Sequence, residues 1–214
     1  MYSFLLIGED GSGKTTYARF LQNKYGVIPL AIADNIFTFI CKLQNELDMD
    51  LHKLFNRTPI TRQRVDYRDH TINGHKLRNA LRFVGETFRS WDSEYWTNQL
   101  EDEIDNNLDP GEGFVVSDVR YEEEAMSLYL GTDDVIPILV VVDSATRLAT
   151  LKNKYGKSYE ETHHVSLDYP RNNDIPNWLH IPAYLPENEF IDKVEAIIKQ
   201  FESEGLCEYK LRGK

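Results

Sequence analysis

A chain of 214 residues with 41% hydrophobic content can bury one sizeable core, and its formal charge of −11 argues against a duplex or long single strand as partner, because affinity for a polyanion comes largely from Lys and Arg displacing counterions. A small anion still fits, since it needs only a local positive pocket. The longest apolar runs, SFLLIG and IPILVVV, fall far short of the ~20 residues that cross a bilayer, and the start of the chain has neither a basic flank nor a cleavage site, so a cytoplasmic protein without a membrane segment is expected. Cys41 and Cys207 are far apart and lack CxxC spacing, which gives neither a disulfide framework nor a zinc site.

Residues 2–7, YSFLLI, read as a short buried strand, and Gly8 to Lys14 break the pattern before TTYARFLQNKY resumes with helical spacing. A second strand, VIPLAI, ends before Asp34, which stands where a helix N-cap belongs, and IFTFICKLQNEL follows as a helix. From about 50 to 73 the chain is polar, with Arg57, Arg62, Arg64 and Arg68 close together, and reads as a loop. HKLRNALRFVGETFRSW and SEYWTNQLEDEIDNNL are amphipathic helices. FVVSD is a third strand, followed by an acidic helix start from Tyr121 to Glu124, and PILVVVD is a fourth, continuously apolar as a strand covered on both faces should be. The helix SATRLATLKNKYG, a pattern-free stretch from Lys157 to Asn177, a weak fifth strand WLHIP and a closing helix marked by Phe190, Val194 and Ile198 complete the chain. Strands alternating with helices predict an α/β fold with a parallel sheet wrapped on both sides.

Gly8 to Thr15 fit G-x-x-x-x-G-K-[ST] without a mismatch, a pattern whose chance occurrence in a chain this long is about one in a hundred at average residue usage. The motif follows a strand and opens a helix. The chemistry requires that placement: glycines let backbone N–H groups converge on phosphate oxygens, and the helix N-terminus adds its positive end. Lys14 would reach the β and γ phosphates of ATP, and the Thr15 hydroxyl would ligate Mg²⁺.

A phosphate loop alone does not define an acceptor. On the helix near residue 80, Leu77, Leu81, Val84 and Phe88 make one apolar stripe, and Arg78, Arg82, Gly85 and Arg89 repeat its spacing one residue along. The arginines would repel one another unless an anion lay across them, with the missing side chain at Gly85 admitting a ligand, or they form a solvated face balanced by Glu86 and Asp92, with Gly85 admitting close helix packing. Asp118, ending a strand, would face the loop and hold Mg²⁺, or else cap the next helix; Arg120 would touch phosphate, or pair with Glu123 or Glu124. Arg147, Lys152, Lys154 and Lys157 would close over ATP, although positive charge near a helix C-terminus also suits the dipole. His163 and His164 read as loop histidines.

Together GEDGSGKTT, the ADNIF helix start, LRFVGETFRSWDSEYW, SDVRYEEEA and the weaker HVSLD resemble the phage-type deoxynucleoside monophosphate kinases, a branch of the P-loop nucleoside monophosphate kinase group. The resemblance implies a P-loop NTPase three-layer fold with a central, mostly parallel five-stranded sheet, in a single domain spanning 1–214. Its core would comprise 1–33 and 110–214, a helical acceptor-binding insertion about 34–109, and a lid about 144–177. It implies an enzyme that phosphorylates deoxynucleoside monophosphates from ATP with Mg²⁺, in the host cytoplasm if phage-encoded. Carried over, Gly8, Asp10, Gly11, Ser12, Gly13, Lys14, Thr15, Thr16 and Arg147 bind ATP. Lys14, Asp118 and Arg120 are catalytic, Thr15 and Asp118 serve the metal, and Asp34, Arg78, Arg82, Arg89 and Arg120 bind the acceptor. The chain departs from the family at Glu86, where a Thr is usual after the Gly, and at Phe37 and Thr38, where a Lys is usual. Partners expected are ATP and a nucleoside monophosphate, with a homodimer as an assembly to test.

An acceptor that is already an anion needs no dedicated base, only residues that hold two repelling phosphates in line and neutralise growing charge. The competing readings are a P-loop kinase for another small phosphorylated metabolite, and a nucleotide-binding switch or ATPase. The switch would need an NKxD loop or a strand ending Asp-Glu, where strand three ends Ser117-Asp118-Val119. A polynucleotide end kinase is disfavoured by the acidic balance.

Overall fold

The structure, a computed structural model, describes residues 2–46, 71–72, 75–132, 135–155 and 179–204. Five strands, β1 (Ser3–Ile7), β2 (Ile28–Leu30), β5 (Phe114–Val119), β6 (Val135–Val141) and β7 (Leu179–Pro182), pair in the order β2-β5-β1-β6-β7, and every pairing is parallel. The expected five-stranded α/β sheet is therefore present and wholly parallel. A two-residue ladder, β3 (Thr71–Ile72) with β4 (His75–Lys76), stands apart and runs antiparallel. Most of the segment read as an arginine-rich loop, with Arg57, Arg62, Arg64 and Arg68, lies outside the described residues.

Seven helices complete the described chain: α1 (Lys14–Tyr25), α2 (Ile32–Glu46), α3 (Leu77–Trp91), α4 (Tyr95–Asn107), α5 (Glu122–Gly131), α6 (Ser144–Tyr155) and α7 (Glu187–Glu204). They cover both sheet faces. Along β1, successive side chains point to opposite faces, so Leu5 and Ile7 enter a core with Ile32, Ile36, Leu81, Trp96 and Leu128, while Phe4 and Leu6 enter one with Tyr17, Leu21, Phe190 and Val194. That division explains why β1 and β6 read as unbroken apolar runs: each residue has a core to enter. Fully burying a side chain of this kind contributes roughly 1.5–3 kcal/mol, so the two cores fix which strand lies centrally.

The carboxyl end of the sheet carries one irregularity. Leu5 pairs with Val116 but Ile7 pairs with Val119, so two residues of β5, Ser117 and Asp118, stand opposite Leu6. An extra residue in one strand re-aims the side chains beside it. The chain uses it at Asp118, directly beside the phosphate loop.

Candidate active site

The phosphate loop leaves β1 at Gly8 and enters α1 behind Gly13, whose left-handed backbone lets the chain turn sharply into the helix. Lys14 donates from Nζ to the carbonyl oxygens of Gly8 and Glu9, 2.6 Å each, and so closes the loop on itself. Thr15 and Thr16 are exposed in the first turn, Asp10 is half-buried, and Ser12 is fully buried. The first N–H groups of a helix have no intrahelical acceptor, which makes this end of α1 a place for anions.

From beneath, α6 holds the loop. Gly11 has a positive φ of 83°, and a Cβ there would come within 2.9 Å of Leu151 Cγ, so only glycine accommodates both the turn and the packing. Arg147 is buried, and its Nε lies 2.7 Å from Glu9 Oε2. The expected ATP contact Arg147 is thus packed under the loop rather than raised over it. Residues 156–177 of the expected lid lie outside the described residues, with His163, His164 and Lys157 among them, as do the HVSLD segment and Cys207.

A third support comes from the turn between β7 and α7. The Tyr17 hydroxyl of α1 donates to the Pro182 carbonyl at 2.6 Å and accepts the Leu185 N–H at 2.8 Å, spanning the turn from one side. Within it Tyr184 adopts a left-handed conformation, φ 63°, rare for a non-glycine residue. Its hydroxyl donates to the Gly11 carbonyl and lies 3.0 Å from Thr150 Oγ1 on α6. Neither Tyr17 nor Tyr184 was singled out by sequence, because each acts across more than 160 positions.

Asp118 accepts the N–H of Ile32 through one carboxylate oxygen, at 3.0 Å, and the N–H of Ala33 through the other, at 2.9 Å. This corrects the expected N-cap at Asp34. The helix begins two residues earlier, at Ile32, its N-terminal amides are capped from β5, and Asp34 lies inside the first turn with its own N–H bonded to Ala31 O at 3.0 Å. The other reading of Asp118, a cap for the helix that follows it, is also corrected: it caps α2 instead.

The arginine stripe of α3 proves to be balanced by carboxylates. Arg82 bonds Glu86 one turn on, Nε to Oε1 at 2.9 Å, and both remain about half-exposed. Arg89 donates from Nε to Glu124 Oε1 at 2.8 Å, and its guanidinium carbon stands 4.4 Å from the centre of the Tyr121 ring. The expectation that the arginines need an anion laid across them is therefore corrected for these two, since each already faces a carboxylate. Arg78 lies on α3, and its side chain is outside the description.

Glu124 itself is 1% exposed. Its other oxygen accepts the backbone N–H groups of Arg120, at 3.0 Å, and Tyr121, at 3.3 Å. Burial pushes this carboxyl above the usual range, while Arg89 and the Arg120 N–H pull it back. The expected pairing of Arg120 with Glu124 thus runs through the backbone, and the half-buried Arg120 side chain makes no ion pair among the described residues. A capping signal was present, an acidic residue three positions into α5, but nothing local announced its partner Arg89, 35 positions away.

Gly85 earns its mid-helix position through packing. A Cβ there would meet Ile36 Cδ1 of α2 at 3.0 Å and Arg89 Nη1 at 3.2 Å, and its carbonyl accepts the buried Trp96 Nε1–H at 3.2 Å.

The sheet brings these parts together. Ile7 pairs with Val119, so Gly8 and Arg120 leave neighbouring strands side by side, and Arg89 is tied to the same corner through Glu124. For Mg²⁺, the exposed Thr15 hydroxyl offers one oxygen, and Asp118 presents a carboxylate whose two oxygens already accept amides and which would serve through water. Among the described residues no three acidic, His or Cys side chains converge on one point. No described helix is long and apolar enough to cross a membrane.

No protein-family model matches the chain, and no curated protein matches it. Among solved structures it is similar to a gluconokinase from Sinorhizobium meliloti 1021, with TM-score 0.53, 12% identity and 97% of each chain covered. It is also similar to TT1252 from Thermus thermophilus, with TM-score 0.51, 14% identity, and 93% of this chain and 97% of that one covered. At such identities the likeness is one of fold, and it agrees with the parallel sheet and flanking helices described above.

Proposed function

We infer that the chain is a Mg²⁺-dependent kinase that moves the γ-phosphoryl group of ATP onto a deoxynucleoside monophosphate. The observation that carries this reading is the pairing of Ile7 with Val119, which sets the phosphate loop beside a corner holding Asp118, Arg120 and the Glu124-bound Arg89. A triphosphate in the loop would present its terminal phosphorus toward that corner, where cations suit the phosphate of an acceptor.

The acceptor oxygen is ionised at neutral pH, so the reaction asks for positioning and charge neutralisation rather than a base. Lys14 would exchange its two carbonyl partners for the β and γ phosphates. Arg120 and Arg89 would hold the acceptor phosphate, with Arg82, Arg78 and Asp34 along the acceptor side. Mg²⁺, held by Thr15 and through water by Asp118, would supply neutralising charge. Residues 34–109 would grip the monophosphate, and of the expected lid at 144–177 the part that follows α6 would close over ATP, keeping water from the transferred group.

A panel of deoxynucleoside monophosphates with ATP, read by coupled ADP release, tests the reading. Turnover on one or more is expected. Turnover confined to another small phosphorylated metabolite would assign the same fold to that acceptor instead, and a homodimer is checked on the same sample by sedimentation.

A further inference from the structure

Glu124 is buried more completely than its capping duty requires. Two backbone N–H groups at a helix start can be satisfied by a short, exposed side chain, whereas a fully buried carboxylate is costly unless donors surround it. Here the third donor is Arg89 Nε, and that contact explains the burial.

Arg89 is held on two sides. Its Nε edge meets Glu124 and its cation rests over the Tyr121 ring at 4.4 Å, while Nη1 and Nη2 border the gap that Gly85 leaves, 3.2 and 3.7 Å from where a Cβ of residue 85 would stand. A guanidinium has two edges that can meet an oxyanion as a fork. With Nε engaged by Glu124, the fork left for a ligand is the Nη1 and Nη2 pair.

We propose that Glu124 is a positioning residue: it locks Arg89 so that the Nη1 and Nη2 edge is presented to the acceptor phosphate. Because Glu124 also binds the Arg120 and Tyr121 amides, one carboxylate sets Arg89, 35 positions before it, in register with the Arg120 backbone. The inference rests on the functional reading above, in which Arg89 touches the acceptor.

The test is Glu124→Gln, which keeps shape and loses charge, assayed for both substrates. The KM for the monophosphate is expected to rise about tenfold or more, because a misplaced clamp loses its alignment, with the KM for ATP within about twofold. A merely structural role would lower the melting temperature and leave both KM values alone, and that result would overturn the proposal. Should Glu124→Gln not fold, Glu124→Asp keeps the charge but draws the carboxylate back by one methylene from the Arg89 Nε it now meets at 2.8 Å. A rise of several-fold in monophosphate KM alone then supports the proposal, and no change sinks it. The two failures are distinct: a wild-type protein inactive on every monophosphate defeats the functional reading and the inference with it, whereas an active wild type with unaltered variants defeats the inference alone.

Discussion

The Tyr184 hydroxyl donates to the Gly11 carbonyl, fastening the turn after β7 to the middle of the phosphate loop. Holding Tyr184 at φ 63° stores strain, and the Tyr17 hydroxyl, bonded at both ends of the turn, keeps it there. The contact orients the Gly11 peptide. Tyr184→Phe deletes only the hydroxyl, and with a hydrogen bond contributing about 0.5–1.5 kcal/mol net, the KM for ATP should rise about two- to tenfold. Initial-rate kinetics varying each substrate in turn should show the monophosphate KM unchanged.

Asp118 caps α2 from a distance, so its loss should act on stability before it acts on anything else. Asp118→Ala frees two amides and should cost about 1–3 kcal/mol, while Asp118→Asn keeps one acceptor oxygen and should fall between the variant and the wild type in urea melts. If the carboxylate also supports the metal, Asp118→Asn lowers kcat by about tenfold or more while remaining folded. A normal kcat would leave it a cap and nothing else.

Gly85→Ala pits two effects against each other. Ala gains about 1 kcal/mol of helix propensity, but overpacking against Ile36 and Arg89 costs about 1–3 kcal/mol, so net destabilisation of up to about 2 kcal/mol is expected. Displacing Arg89 should raise the monophosphate KM several-fold. A more stable variant with unchanged kinetics would show that the Gly85 gap is incidental.

Asp143 accepts the Thr146 N–H at 2.9 Å at the start of α6, and hydrogen bonding from the Thr146 side chain first, and from its backbone N–H second, lowers its pKa. The unfolded chain therefore binds the proton more readily near the ordinary aspartate range, and the stabilisation is present above that range and lost as pH falls through the lower, folded value. Thermal melts across acidic pH should show Asp143→Ala less stable than wild type at neutral pH, with the difference closing on the acid side. A pH-independent difference would assign the cap to something other than charge.

What could be read in the sequence was local. GEDGSGKTT declares a strand, a glycine turn and a helix because one short stretch of backbone must meet all of those demands, and the buried runs of β1 and β6 declare themselves through composition. Asp34 looked like a cap because it lies near the start of its helix, yet the cap comes from Asp118, more than 80 positions along, a pairing that only the sheet order creates. The arginine stripe was visible as a repeat, but its counter-charges differ in kind: Glu86 is one turn away on the same helix, and Glu124 is on another element. Tyr184 carried no signal, since its role lies in a backbone conformation and a contact made after the sheet is assembled.

Titration calorimetry of the intact chain with ATP and Mg²⁺ tests the central claim most directly. Saturable binding near one ATP per chain, lost in a folded Lys14→Ala variant, is the predicted result. No heat of association from folded wild-type protein, across temperatures that would reveal a chance zero in enthalpy, would contradict it.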